Sequence, residues 1–85
     1  MSREDKLIQK LKDERSTLTF DEATALLNGM GFDLKNKGKT SGSRVMFVNG
    51  EKSLKIIMHK PHPRKELLSY QKNQLRDFLE QEGLI

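Results

Sequence analysis

The sequence predicts an α+β fold: a two-layer α-β-β-β-α domain behind one extra N-terminal helix. Three observations lead there. Thr19 and Glu22 stand at capping-box spacing ahead of an apolar stripe that Gly31 ends. Two runs of alternating apolar and polar residues, 44–48 and 53–59, flank Asn49-Gly50. Leu75, Phe78 and Leu79 then recur at helical spacing ahead of Gly83.

The extra helix is expected over residues 3–13. Ser2 followed by Asp5 resembles a helix start, and Leu7, Ile8 and Leu11 form a narrow apolar stripe. Three apolar residues bury little area, so this helix is expected to dock weakly and to be removable up to about Asp13 without unfolding the rest. Ser16 and Thr17 interrupt it. In the next helix the Thr19 side chain takes the N3 amide and Glu22 returns to the cap amide, with Leu18 and Ala23 placed for a hydrophobic staple. Phe20, Ala23, Leu27 and Met30 supply the apolar face, and Gly31 offers the left-handed conformation that closes the helix.

Phe32 and Leu34 alternate with polar neighbours and suggest a short first strand, followed by a basic loop over residues 35–43. The hairpin across Asn49-Gly50 fits a four-residue loop, 49–52, which places Val45 opposite Ile56 and Phe47 opposite Leu54. A shift of two would leave the faces unchanged. One face carries Val45, Phe47, Leu54, Ile56 and Met58 and should meet the helices; the other carries Arg44, Met46, Val48, Ser53, Lys55, Ile57 and His59. Residues 59–63 then run extended, because Pro61 and Pro63 each disfavour helical geometry in the residue before. The last helix begins near Ser69 with Leu67 or Leu68 beneath its start, and Leu84 can fold back on Leu79 past Gly83.

Composition narrows the function. Eighty-five residues make one domain with a thin core. With no cysteine, disulfides and cysteine-bound metal are excluded, and a cytoplasmic location is expected. There is no long apolar run, so neither a membrane span nor a secretory signal is expected. The net charge of +4 is unevenly placed: residues 33–65 hold nine Lys or Arg against two acids, a net of +7, and the remainder holds seven against ten, a net of −3. Such a concentrated basic segment attracts polyanions, although a lysine-rich surface is also what plain solvation produces.

Helix, three strands, helix is the layout of double-stranded-RNA-binding domains. Their basic cluster at the start of the last helix is missing here, where only Lys72 and Arg76 stand amid acids. A closer match covers residues 19–85. The helix ending Leu27-x-x-Met30-Gly31-Phe32, the run Gly42-Ser43-Arg44-Val45-Met46-Phe47, the His62-Pro63 turn followed by Glu66-Leu67, and the ending Phe78-Leu79 then Gly83-Leu84-Ile85 resemble the HicA-like toxins. Residues 1–18 form an N-terminal extension outside that resemblance. The resemblance implies messenger-RNA cleavage without a metal or other cofactor, and silencing by a HicB-like antitoxin. It also exposes a departure: those toxins commonly place a catalytic histidine after the Gly-Ser pair, where this chain has Arg44. An arginine stays protonated and cannot serve as the base, but it can hold a phosphate or stabilise its developing charge.

Metal-free RNA cleavage needs a base for the 2′-hydroxyl, an acid for the leaving oxygen and positive charge at the phosphate. Histidine suits both proton roles, which makes His59 and His62 the candidate catalytic pair. Ser43, Arg44, Lys55, Lys60 and Lys39 are the candidate RNA-binding residues, with Lys35, Lys37 and Lys39 also forming an electrostatic fringe. The two histidines have a plainer alternative, in which His62 only orients its proline turn and His59 only ends a strand in solvent. Met46 and Ile57 on the open face suit either a hydrophobic floor for a base or a partner contact. Two histidines without clustered acids make a poor metal site. Three functions stay open: a toxin-like endoribonuclease, an RNA-binding module without activity, and an interaction domain for an acidic protein.

Overall fold

Six elements follow in the predicted order: α1 (Arg3–Lys12), α2 (Phe20–Gly29), β1 (Asp33–Lys35), β2 (Arg44–Asn49), β3 (Leu54–His59) and α3 (Ser69–Gln81). They come from a computed structural model that describes residues 3–35, 44–59 and 65–85. The strands form one antiparallel meander in the order β1-β2-β3, with β2 at its centre. The α+β class and the α-β-β-β-α order are as the sequence predicts. No helix among the described residues is long and apolar enough to cross a membrane.

Local signals make the helix ends. At α2, Glu22 N–H donates to Thr19 Oγ1 at 3.1 Å and Thr19 N–H donates to Glu22 Oε1 at 3.0 Å, the expected reciprocal cap. Past its end, Gly31 takes φ 94°, and the Phe32 N–H donates to the Leu27 carbonyl at 2.9 Å. The same closure recurs at α3, where Gly83 takes φ 73° and Leu84 N–H donates to the Leu79 carbonyl at 2.9 Å. The two chain segments entering α2 and α3 are pinned together: Phe20 N–H donates to the Lys65 carbonyl and Leu67 N–H to the Leu18 carbonyl, each at 2.8 Å. Of the two leucines offered for the start of α3, Leu67 is the buried one and Leu68 stays exposed.

The core joins Leu18, Phe20, Ala23, Leu26 and Leu27 to Val45, Phe47, Met58, Leu75 and Leu79. Phe20 meets Phe47 across the layers with centroids 6.1 Å apart, and Phe32 meets the α3 ring of Phe78 edge-on at 6.3 Å. Strand faces divide as the alternation requires: Val45, Phe47 and Met58 are buried, while Arg44, Lys55, Ile57 and His59 are exposed.

The hairpin register departs from the expectation by two residues: Val45 faces Met58 and Phe47 faces Ile56. The cause is Asn49, which does not sit in the turn. It ends β2 facing inward, 2% exposed, where its Nδ2 donates to the Met30 carbonyl at 3.2 Å and its Oδ1 accepts the Lys52 N–H at 3.1 Å. The loop becomes residues 50–53, and Ser53 takes the positive φ of 55°. Because the slide is by two, no side chain changes face. Asn49→Ala is expected to cost about 1–3 kcal/mol, because it removes both part-buried hydrogen bonds that the buried asparagine side chain makes. Urea denaturation reads that cost directly, and a change near zero would show that the bonds to Met30 and Lys52 contribute nothing net.

α1 docks more firmly than its narrow stripe suggests. Leu7 and Leu11 both belong to the core, and Leu11 is 1% exposed. Lys10 Nζ sits 2.5 Å from Glu22 Oε2, joining α1 to the cap of α2. From α3, the buried Lys72 ammonium donates to the Asp13 carbonyl at 2.7 Å and also to the Ser16 carbonyl. One lysine therefore holds the α1–α2 connection against α3. The sequence signals only a solvated helix face there, because the partners lie more than fifty residues away.

Two carboxylates at this junction titrate below their ordinary values. Burial pushes the Glu22 carboxyl up, but the Lys10 ammonium and the hydrogen bonds from Lys10 and Thr19 outweigh it and hold it down. The Arg15 amide, then the Ser16 hydroxyl, lower Asp13, with the Lys72 charge adding to them against a small opposing desolvation. A depressed folded-state pKa contributes stability above the unfolded value and loses it as pH falls through the folded one. Thermal melts are therefore expected to weaken below about pH 4.5, the ordinary glutamate value, and Glu22→Gln is expected to flatten that acid limb. An acid limb of unchanged slope in the variant would place the proton uptake elsewhere.

Candidate nucleic-acid interface

The sheet has a helix-covered face and an open one, and the register fixes which residues share the open face. Paired residues lie side by side on one face, and residues two apart along a strand follow them about 6.6–6.8 Å further on. Three rows result. Arg44 stands directly opposite His59 at one end; Lys35, Met46 and Ile57 cross the middle; Asp33, Val48 and Lys55 cross the far end. Met46 and Val48 on the central strand are half-buried, and the other six are exposed.

Arg44 and His59 are thus the best-placed of the sequence-derived site residues. Directly opposed residues of an antiparallel pair bring their Cβ atoms about 4.5–5.5 Å apart, close enough for both side chains to reach one small group. Lys55 shares the face but lies two rows away. His62, Ser43, Lys60 and Lys39 lie outside the described residues.

Lys35 belongs to β1, where it pairs with Met46, and not to the basic loop in which the sequence reading placed it. A single lysine closing a three-residue strand carries too little periodicity to be separated from the lysines that follow. Gln71 also escaped the sequence reading. Its side chain is buried at the start of α3, where Oε1 accepts the Leu68 N–H at 2.9 Å and Nε2 donates to the His59 carbonyl at 2.8 Å. The end of β3 that carries His59 is thereby tied to the first turn of α3. The capping-type spacing of Leu68 and Gln71 was the available signal, but leucine is not a capping residue and hid it.

The open face is separate from the grooves of the helical layer. One of about 490 Å³ is lined by Leu11, Ser16, Thr17, Glu66 and Lys72 among others, and one of about 610 Å³ by Lys6, Lys10 and Glu22 among others; neither is lined by an open-face residue. Among the described residues no group of three His, Asp or Glu side chains is placed to hold a metal ion.

Fold and face together define a small α+β domain that presents a cation-bearing sheet surface on the side its helices leave open. The family model described as the HicA toxin of bacterial toxin-antitoxin systems matches residues 20–84, and the chain belongs to that family. Membership makes it a toxin-type component with an antitoxin as its partner. Helix α1 precedes the matched segment. No curated protein and no solved structure matches the chain.

Proposed function

We propose that this chain binds RNA on the open face of its sheet and cleaves messenger RNA as an endoribonuclease without a metal, until a HicB-type antitoxin silences it. The observation that carries the reading is the direct pairing of Arg44 with His59. The family's usual histidine position holds arginine here, and the register sets a histidine beside that position from the neighbouring strand. A histidine therefore stands directly across from that arginine, so proton transfer and phosphate charge can both be supplied at one end of the sheet.

In this reading Arg44 holds the scissile phosphate through charge-assisted hydrogen bonds. The 2′-hydroxyl oxygen attacks phosphorus, the bond to the 5′-oxygen breaks, and a cyclic phosphate remains. His59 performs one of the two proton transfers. His62, three residues further along the chain, is proposed for the other. Gln71 acts as a positioning residue by holding the His59 backbone. Residues 19–85 form the RNA-acting unit, α1 an extension that braces it.

The test is incubation of end-labelled single-stranded RNA with the purified protein in chelator. Cleavage supports the reading. Salt-sensitive binding without cleavage would make the chain an RNA-binding module, favoured by the arginine at the family's histidine position. Neither cleavage nor binding would move the function to an interaction domain for an acidic protein.

A further inference from the structure

Resting on that RNA-binding reading, we infer that the open face is built for an unpaired RNA strand lying along β2 and β3, with one base seated on Met46, Val48 and Ile57 and a second phosphate held by Lys55. The rows alternate in chemistry. Arg44 and His59 offer charge and a proton-transfer group at one end, Met46 and Ile57 offer apolar surface in the middle, and Lys55 offers charge beside Val48 at the far end. Four residues of strand separate the end rows, about 13 Å, room for a short run of nucleotides.

The apolar surface is the informative part. Ile57 is 49% exposed, and it pairs with half-buried Met46, next to half-buried Val48. The three make one continuous strip between cations. A duplex turns its base faces inward and offers a flat protein surface mainly phosphates and sugars. Only an unpaired base presents a flat apolar face to such a strip. Met46, Val48 and Ile57 carry no aromatic ring, so the base rests on non-aromatic apolar side chains there, and the one ring of the face is the His59 imidazole in the first row. Charge also sets the lateral position. Asp33 occupies the β1 side of the far row, opposite in sign to Lys55 on the β3 side. On the β1 side Lys35 of the middle row offsets Asp33, so the net positive charge lies on the β3 side, and the phosphates follow it.

The experiment measures equilibrium binding of a short 2′-O-methyl RNA strand, which lacks the attacking hydroxyl, and of its duplex, across a salt series. The parent is expected to bind the single strand about tenfold or more tighter than the duplex, a difference of about 1.4 kcal/mol. Lys55→Ala should lower the slope of log affinity against log salt by about 0.7, the value of one phosphate contact on a single strand. Ile57→Thr keeps the β-branched shape that suits an edge strand. It should weaken single-strand binding about fivefold or more with the slope unchanged, as loss of apolar contact requires. Equal binding of both forms by the parent, or an Ile57→Thr variant that melts and binds like the parent, would overturn this inference while leaving RNA binding intact. Binding of neither form would overturn it together with the RNA-acting reading.

Discussion

His59→Ala is expected to lower RNA cleavage by about 10²–10⁴-fold, the usual contribution of a positioned acid or base. RNA affinity should change little, because substrate is held by Arg44, Lys55 and the surface between them. Arg44→Ala is expected to act differently. It should lower cleavage by about 10²–10³-fold, as removal of a charge-stabilising donor does, and it should also reduce the salt dependence of binding by one contact. Side-by-side rates and affinities for the two variants separate proton transfer from phosphate holding. If His59→Ala cleaves within about threefold of the parent, the proton-transfer role given to His59 beside Arg44 is wrong, since no acid or base of consequence would then be lost. Gln71→Ala gives an intermediate check, because freeing the His59 carbonyl at the end of β3 should slow cleavage while RNA affinity holds.

The second large effect concerns stability. Leu11→Ala is expected to cost about 2–5 kcal/mol, because the side chain is 1% exposed and sits inside the shared core. Small domains carry about 5–15 kcal/mol in total, so one such change is a large share. At about 4–8 °C per kcal/mol, the melting temperature should fall by on the order of 10 °C or more. Removal of residues 1–13 should be worse. It takes away Leu7 and Leu11 together, the Lys10 partner of Glu22 and one of the two carbonyls that Lys72 holds. A buried ammonium left short of acceptors is expensive. Melting followed by circular dichroism decides it: loss of a cooperative transition, or a shift beyond that of Leu11→Ala, is the expected result. A truncated chain that melts cooperatively within a few degrees of the full one would return α1 to the weakly docked status that its three apolar residues alone suggest.

Features legible in the sequence are those whose causes are local. The Thr19–Glu22 cap, the closures at Gly31 and Gly83 and the division of strand faces each depend on residues within a few positions of one another. The unforeseen features depend on partners far along the chain. Asn49 reads as a turn residue because Asn-Gly is a strong hairpin signal, yet the Met30 carbonyl draws it into the sheet. Nothing local to Lys72 or Gln71 signals their backbone acceptors, which come from the α1–α2 connection and from β3.

The candidate site divides along the same line. Alternation alone placed Arg44, Lys55 and His59 on one face. In the register that sets Val45 opposite Ile56, Arg44 would face Ile57, and His59 would stand a row away. The two-residue slide that Asn49 imposes is what makes Arg44 and His59 direct partners. A buried asparagine on the far face of β2 thus determines which side chain stands beside the arginine.

The chemistry of the product ends tests the central claim most directly. RNA cut by the purified protein in chelator, analysed by mass spectrometry, should carry a 2′,3′-cyclic phosphate or its hydrolysis product on one fragment and a 5′-hydroxyl on the other. An RNA with 2′-deoxy sugars at the cut positions should then resist cleavage. Fragments ending in 3′-hydroxyl and 5′-phosphate, or equal cutting of the 2′-deoxy strand, would contradict attack by the ribose hydroxyl and with it the roles given to His59 and Arg44.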